Sequence, residues 1–285
     1  MLPARSGIPN RERRAKSGQP EASGSECGME LIGIDIGGTG IKGAPVDVVG
    51  GALTADRKRL PTPQPATPEA VADVVAAVVA TFPTTGTVGA TFPAVIQGGV
   101  ARTAANVDKS WIGEDVASRL SAAAGRPFVV LNDADAAGLA EVRFGAGAGR
   151  DGVVMMITLG TGIGSALFVD GTLVPNTELG HLQYRGKDAE ARAAESVRER
   201  KGLSWKDWGK RVGGYLRYLE VLFSPDLFII GGGVSKKSER YFQYFETEAD
   251  VVPAQLLNEA GIVGAAVAAA GNQTSATIAG STSPS

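Results

Sequence analysis

IDIGGTGIKGA, residues 34–44, and ITLGTGIGSA, residues 157–166, are near-copies of one pattern. In each, an apolar run of strand character leads into a turn where glycines flank a threonine, and glycine lets backbone N–H groups come close to an anion. Two such turns facing one another would hold a phosphate chain from opposite sides. Asp35 precedes the first turn by one residue, so strand alternation can set its carboxylate beside the phosphates and near a Mg²⁺ ion, usually through water. Read alone, that turn is also compatible with a plain hairpin and a capping aspartate; the second copy argues for a shared ligand. Gly37, Gly38 and Thr39 in one turn and Thr158, Gly160, Thr161 and Gly162 in the other are the candidate phosphate-binding residues, with Lys42 adding a point charge.

Outward from these turns, the segments 31–36 and 41–49 read as a hairpin, and a helix follows with Thr67 as N-cap and Pro68 at its first position. Val71, Val74, Val75, Val78 and Phe82 share one face of it. TVGATFPAVI (87–96) reads as a buried strand closed by a proline turn, 114–124 as a helix, PFVVLND (127–133) as a strand and 134–145 as an alanine-rich helix. The second half restarts with VVMMITL, its glycine turn and a hairpin at Asp170-Gly171. A long charged helical region over 188–223 precedes the strand DLFIIGGG, and the helix EAGIVGAAVAAA (259–270) closes the pattern. The repeated order predicts two α/β domains with a cleft between them, a small one over 29–131 joined by the helix 259–270 and a large one over 132–258. The leader 1–28 and the tail 271–285, rich in small and polar residues, are expected to be disordered.

Of 285 residues, 44% are apolar and 20% charged, with a net charge of −2, a composition that argues against general nucleic-acid binding. One cysteine, Cys27, and one histidine, His181, exclude a disulfide framework or a Cys/His zinc cluster within the chain. No apolar run reaches the roughly 18 residues of a membrane span, and residues 1–28 lack the apolar stretch of a secretory signal. A soluble, cytoplasmic protein with no membrane partner is expected.

The span 147–152 matches G-x-G-x-x-G but follows a helix and precedes a strand, the reverse of the dinucleotide-binding context, and reads as a loop. No P-loop pattern occurs. Gly231, Gly232 and Gly233 form a third glycine turn, suited either to the nucleotide side of a donor or to a plain tight turn. With one histidine in the chain, a carboxylate is the natural base for phosphoryl transfer to a hydroxyl, and Asp133 at a strand-to-helix junction is the candidate. It is equally suited to cap the helix that follows. Glu178 and His181 in ELGH, with Asn106 and Asn132, offer donors and acceptors for a ring of sugar hydroxyls; ELGH sets both side chains on one face only if it is helical.

Across about 31–270 the chain resembles the ROK family of sugar kinases, within the actin-like and hexokinase-like (ribonuclease H-like) two-domain α/β fold with an interdomain cleft. IDIGGTGIK and ITLGTGIG are similar to its two phosphate loops, ELGH to its sugar-contact motif and FIIGGGVS to its adenosine-side loop. The resemblance implies Asp133 as catalytic base, with Asn132, Asp133, Glu178 and His181 on the sugar. After His181, where the family carries a cysteine-rich zinc motif, this chain has YRGKDAEARAAE; no structural zinc is expected, and Glu190 is carried over as a further sugar contact. This zinc-free form, with ATFPAVI, AANVDKSWIG and GLSWKDWG, resembles the polyphosphate-using glucokinase and glucomannokinase branch. The implied reaction moves a phosphoryl group from polyphosphate or ATP, with Mg²⁺, to the 6-hydroxyl of glucose, with mannose a second candidate acceptor. The implied assembly is a monomer or a homodimer. A polyanionic donor needs a basic track; Lys187, Arg192, Arg198, Arg200, Lys201, Lys206, Lys210 and Arg211 are candidates, though interleaved acids also fit a solvated helix face. The alternatives are a strictly ATP-dependent glucokinase and a non-catalytic sugar-sensing regulator, the latter disfavoured by the retention of Asp133.

Overall fold

The computed structural model describes the backbone of residues 29–280 and the side chains of residues 29–271; the leader expected over 1–28 and the end of the tail, 281–285, lie outside the described residues. Strands β1 (Glu30–Ile36) and β2 (Ile41–Asp47) form the first hairpin, in a register that sets Asp35 opposite Lys42. Two short strands, β3 (Ala52–Leu53) and β4 (Lys58–Leu60), both pair with β2. Helix α1 (Pro68–Val79) starts where expected, the Thr67 hydroxyl accepting from Ala70 N–H, and buries Val71, Val75 and Val78. Strand β5 (Val88–Phe92) runs parallel to β1; after a small hairpin of β6 (Ile96–Gln97) and β7 (Val100–Ala101) comes helix α2 (Val116–Ala124). Gly125 ends α2 in the left-handed conformation, at φ 66°. Strand β8 (Phe128–Asn132) then pairs parallel to β5 and runs directly into helix α3 (Asp133–Phe144).

The second sheet repeats this plan. Strands β9 (Val153–Leu159) and β10 (Ile163–Val169) form the second hairpin, with β11 (Thr172–Val174) on its outer edge. A two-stranded piece, β12 (Gln183–Tyr184) and β13 (Lys187–Asp188), leads to helices α4 (Glu190–Ala193), α5 (Glu195–Arg200) and α6 (Trp205–Phe223). Strands β14 (Leu227–Gly231) and β15 (Asp250–Pro253) add in parallel beside β9. The orders β2-β1-β5-β8 and β10-β9-β14-β15 are thus equivalent, each an antiparallel hairpin followed by two parallel strands.

The region 188–223, expected as one helical stretch, is broken into three. Ala194 is extended, at ψ 152°, because the Trp208 indole N–H takes the carbonyls of Ala193 and Ala194 at 3.0 and 3.2 Å, and Ser196 N–H is drawn to Gly160. Tertiary partners outcompete the i to i−4 ladder there. The tail differs too: helix α7 (Ala260–Gly280) continues past the expected end at 270, since propagating a nucleated helix adds a bond for each residue fixed.

Helix α7 lies between the first sheet and α3, with Ile262, Val263, Ala265, Ala266 and Ala269 fully buried. At three glycines the approach is backbone to backbone. A methyl group on Gly33 would stand 1.9 Å from the carbonyl oxygen of Ile262, one on Gly89 1.8 Å from that of Ala265, and one on Gly264 of α7 1.8 Å from that of Ala136 on α3. These glycines are required by close approach, since none of them has positive φ. Gly264→Ala is expected to force α3 and α7 apart and cost about 1–3 kcal/mol or more, read as a lower urea midpoint with an unchanged m-value.

Candidate active site

Both glycine turns are anchored through their carbonyls. In the β1–β2 turn, Gly37 accepts from the Thr62 hydroxyl, Gly38 from the Gln64 amide at 3.5 Å and Thr39 from the Arg59 guanidinium at 3.1 Å. In the β9–β10 turn, Gly160 accepts from Ser196 N–H at 3.1 Å and Thr161 from the Ser196 hydroxyl at 2.7 Å. With the carbonyls drawn away, the N–H groups of Gly38, Thr39, Thr161 and Gly162 make no hydrogen bond to any described residue, the arrangement an anion needs. Glycine serves here by its size. A methyl group on Gly38 would meet Asn106 Cβ at 3.0 Å, one on Gly40 the Arg59 guanidinium at 2.7 Å and one on Gly162 the Glu190 carboxylate at 2.6 Å. Asn106 is therefore packed on the first turn, in the left-handed region at φ 60°.

The N-terminus of α3 stands against the second hairpin and within reach of the Asp35 charge at the end of β1. Ala134 lies against Gly164, which pairs with Thr158 across β9 and β10, and a methyl group on Gly164 would be 3.0 Å from Ala134 Cβ. The cap of α3 is Asn132, not Asp133: its side-chain oxygen accepts from Ala134 N–H at 2.8 Å and Asp135 N–H at 3.3 Å, while its amide donates to Ala94. The reason is geometric. Asn132 holds the extended backbone of the strand end, whereas Asp133 is already helical and its exposed carboxylate accepts from Ala134 N–H at 2.9 Å. Solvent reaches Asp133, yet the cleft walls displace most of the water around it. That loss of hydration, reinforced by the negative Asp35 and Glu178, pushes its carboxyl up to about 6.

Asp35 is held between Thr91, whose hydroxyl donates to it at 3.1 Å, and Lys42, whose ammonium pairs with it at 3.2 Å. Lys42 is thus tied to the carboxylate beside the first turn. ELGH contains a 3₁₀ turn, Leu179–His181, which brings Glu178 and His181 within 4.0 Å of each other. His181 Nδ1 also lies 3.3 Å from Asp188 and 4.0 Å from Glu190. Glu190 in turn accepts from Ile163 N–H at 3.3 Å, joining this carboxylate-rich cluster to the second glycine turn. The third turn stands against the second: Gly231 pairs with Thr158, and a methyl group on Gly232 would be 2.2 Å from the Leu159 carbonyl oxygen. Gly231, Gly232, Gly233, Thr158, Ser235 and Lys236 line a cavity of about 180 Å³.

Of the suggested basic track, Arg198 is committed elsewhere, stacked 4.2 Å over Trp205 and paired with Glu195 and Glu199, and Arg192 donates to the Arg185 carbonyl. Breakage of the region into three helices spreads the remaining cations over separate elements. Sequence reasoning also passed over Thr62, Gln64, Arg59 and Ser196, which hold the turns from remote positions, and Asp188 and Asp135. Asp135 is buried on α3; one oxygen accepts from Asn176 N–H at 2.8 Å and the other has no partner among the described residues. Asn176 in turn bonds both the N–H and the C=O of Ile96 at 2.8 Å. The NDAD spacing was the available signal for Asp135.

A comparison with protein families matches the ROK family over residues 31–194, more than half of the chain. The polyphosphate glucokinase of Mycobacterium tuberculosis strain H37Rv is 51% identical over 255 residues, covering 89% of this chain and 96% of that protein. The chain belongs to the ROK family. Among solved structures, this ROK protein superposes on the inorganic polyphosphate/ATP-glucomannokinase of Arthrobacter sp. strain KM with a TM-score of 0.81 at 56% identity, covering 85% of this chain and 99% of that one. The ROK glucokinase of Streptomyces griseus, solved with glucose and AMPPNP, gives a TM-score of 0.71 at 27% identity over 84% and 98% of the two chains. The fold is therefore the actin-like/hexokinase-like α/β fold expected from the resemblance. The family match spans both glycine turns, α3 and the cluster from Glu178 to Glu190.

Burial, with the negative Glu178 and Asp133 nearby, also pushes the Asp135 carboxyl up to about 6. The folded ROK protein then holds this proton more tightly than the unfolded chain, so the carboxylate costs no stability below pH of about 4 and an increasing amount as pH rises to about 6. Asp135→Asn keeps an acceptor for Asn176 and removes the charge. It is expected to gain about 1–3 kcal/mol at pH 7 and nothing at pH 4, read from thermal unfolding at the two pH values.

Proposed function

We propose that this protein is a sugar kinase that transfers a phosphoryl group from inorganic polyphosphate or ATP to the 6-hydroxyl of glucose, with mannose as a second acceptor. The observation that carries the reading is the placing of the N-terminus of α3 against the second hairpin, with the exposed Asp133 close enough to Asp35, at the end of the first hairpin's β1, and to Glu178 to feel both charges. The high identity to a protein named polyphosphate glucokinase supports the sugar and the donor. The likeness to a polyphosphate/ATP-glucomannokinase supports both donors and the second sugar.

Asp133 takes the proton from the sugar hydroxyl as the oxygen attacks the terminal phosphorus in line. A carboxyl pushed up to about 6 remains mostly ionised at neutral pH and is a stronger base than an ordinary aspartate. Glu178, His181 and Glu190 orient the ring through its other hydroxyls, with Asn132 behind Asp133 fixing the turn of the chain. The unpaired N–H groups of Gly38, Thr39, Thr161 and Gly162 meet the phosphate oxygens, and Lys42 stands beside them. The Gly231–Gly233 cavity takes the nucleoside end of ATP. Among the described residues no group of three His, Cys, Asp or Glu side chains is arranged to hold a metal by itself. The single carboxylate of Asp35 beside the turn suits Mg²⁺ that arrives with the donor, holding it through water. Bound there, Mg²⁺ supplies charge neutralisation on the phosphate oxygens. Closure of the cleft excludes water and limits hydrolysis.

The deciding experiment supplies purified protein with glucose or mannose, Mg²⁺ and either ATP or polyphosphate, and measures sugar 6-phosphate. Asp133→Asn is expected to lose about 10²–10⁴-fold in kcat while glucose affinity measured by calorimetry stays within a few-fold; near-normal turnover would remove Asp133 as base. In the wild-type protein, kcat/KM for glucose is expected to fall about tenfold per pH unit below an apparent pKa near 6, a limb that belongs to Asp133 coupled with Asp135. Chelation by EDTA is expected to abolish turnover, and excess Mg²⁺ to restore it.

A further inference from the structure

The chain at and just before β4 places more positive charge beside Lys42 than the nearby carboxylates balance. Arg59 sits directly opposite Lys42 in the antiparallel register of β2 and β4, and like charges so placed destabilise a sheet. Asp35, on the other side of Lys42, offsets one of the two. The second is left: neither Arg59 nor Arg57, two residues earlier, has a carboxylate within 4.0 Å among the described residues. Each arginine makes one hydrogen bond, and each makes it to a carbonyl. Arg59 donates to Thr39 and lies over Gly40, so its guanidinium is part of the wall of the first glycine turn. Arg57 donates to the Asn258 carbonyl at 3.2 Å. Most of the donors of both guanidinium groups therefore stay unused.

These three cations and Asn258 line a cavity of about 230 Å³. Asn258 is also a wall of the Gly231–Gly233 cavity, so the two spaces lie on either side of one residue. The segment carrying Asn258 is fixed from beneath, because the buried Glu141 carboxylate on α3 accepts from Gln255 and Leu256 N–H at 2.8 and 2.7 Å. One cavity is lined largely by glycines and small apolar residues; the other is cationic and adjoins the first phosphate turn. An adenosine-terminated donor needs the first. A donor that is phosphate along its whole length needs the second, where bidentate guanidinium contacts are available and its charge removes the repulsion between Lys42 and Arg59.

We propose that Lys42, Arg57 and Arg59 form a subsite for the internal phosphates of a polyphosphate chain, behind the phosphoryl group being transferred. This rests on the reading of the protein as a kinase that accepts polyphosphate. It moves the donor path from the α4–α6 region to the β2–β4 edge.

Arg57 touches neither glycine turn, which makes Arg57→Ala the informative variant. Wild-type protein and variant are compared in two measurements: equilibrium binding of inorganic polyphosphate by calorimetry, and kcat/KM with polyphosphate and with ATP at saturating glucose. The expected result is a loss of about tenfold in polyphosphate affinity and in the ratio of polyphosphate to ATP kcat/KM, the factor carried by one charge-assisted hydrogen bond. The loss grows with chain length, and Arg57→Glu deepens it. Equal losses with both donors, or no loss with either, would overturn the subsite while leaving a polyphosphate-using wild type intact. A wild type that neither binds nor uses polyphosphate would overturn the donor reading and the subsite together.

Discussion

Helix α7 is wedged between the first sheet and α3 at distances that admit no side chain, and the site hangs on that wedge. Gly33 and Gly89 let α7 lie on the sheet, and Gly264 lets α3 lie on α7. Because Asn132 ends β8 of the first sheet and Asp133 opens α3, the crossing of α3 over α7 fixes where the cleft carboxylate points. Close packing of this kind transmits small displacements, since a core without voids has no slack to absorb them. The catalytic candidate is thus positioned by backbone contacts that begin one turn further along α3, at Ala136.

A second constraint is shared by the two glycine turns. A phosphate site made of backbone N–H groups works only if the carbonyls of the same turn face elsewhere, and here they are held by side chains from outside the turn. Thr62, Gln64 and Arg59 do this for the first turn and Ser196 for the second. Polar groups that are already satisfied cannot swing round to repel a bound anion, so the turns are prepared before the ligand arrives. Negative charge is gathered at Glu178, Asp188 and Glu190 around His181 and at Asp133, while positive charge is gathered beyond the first turn. The two signs of charge are thus kept apart.

Much of this was legible beforehand, and the reason is local chemistry. The paired glycine turns, their flanking strands, the Thr67 cap, the Asp170-Gly171 hairpin and the apolar face of α1 are all written within a few residues of one another. Asp133, Glu178 and His181 stand out because their residue types suit the chemistry and Glu190 through the family resemblance, and the structure joins Asp133 and Glu190 to the second hairpin through Gly164 and Ile163. What was not legible depends on partners far apart in the chain. The break at Ala194 is imposed by Trp208, and β15 exists only because β14 offers it an edge. Nothing in the spacing of Arg57 and Arg59 sets them apart from other charged residues; it is the register that places Arg59 against Lys42.

The sequence by itself determined that this chain carries a repeated strand, glycine turn and strand, with an aspartate at a strand-to-helix junction, because spacing and residue type suffice to specify such elements. Only the tertiary structure decided that Asn132, and not Asp133, caps α3, that Lys42 is bound to Asp35, and that the unpaired cations lie at the β2–β4 edge. The cap turns on where β8, paired with β5 as far as Asn132, gives way to helix, and the other two on which groups meet across the sheet; pairings of that kind leave no trace in local spacing.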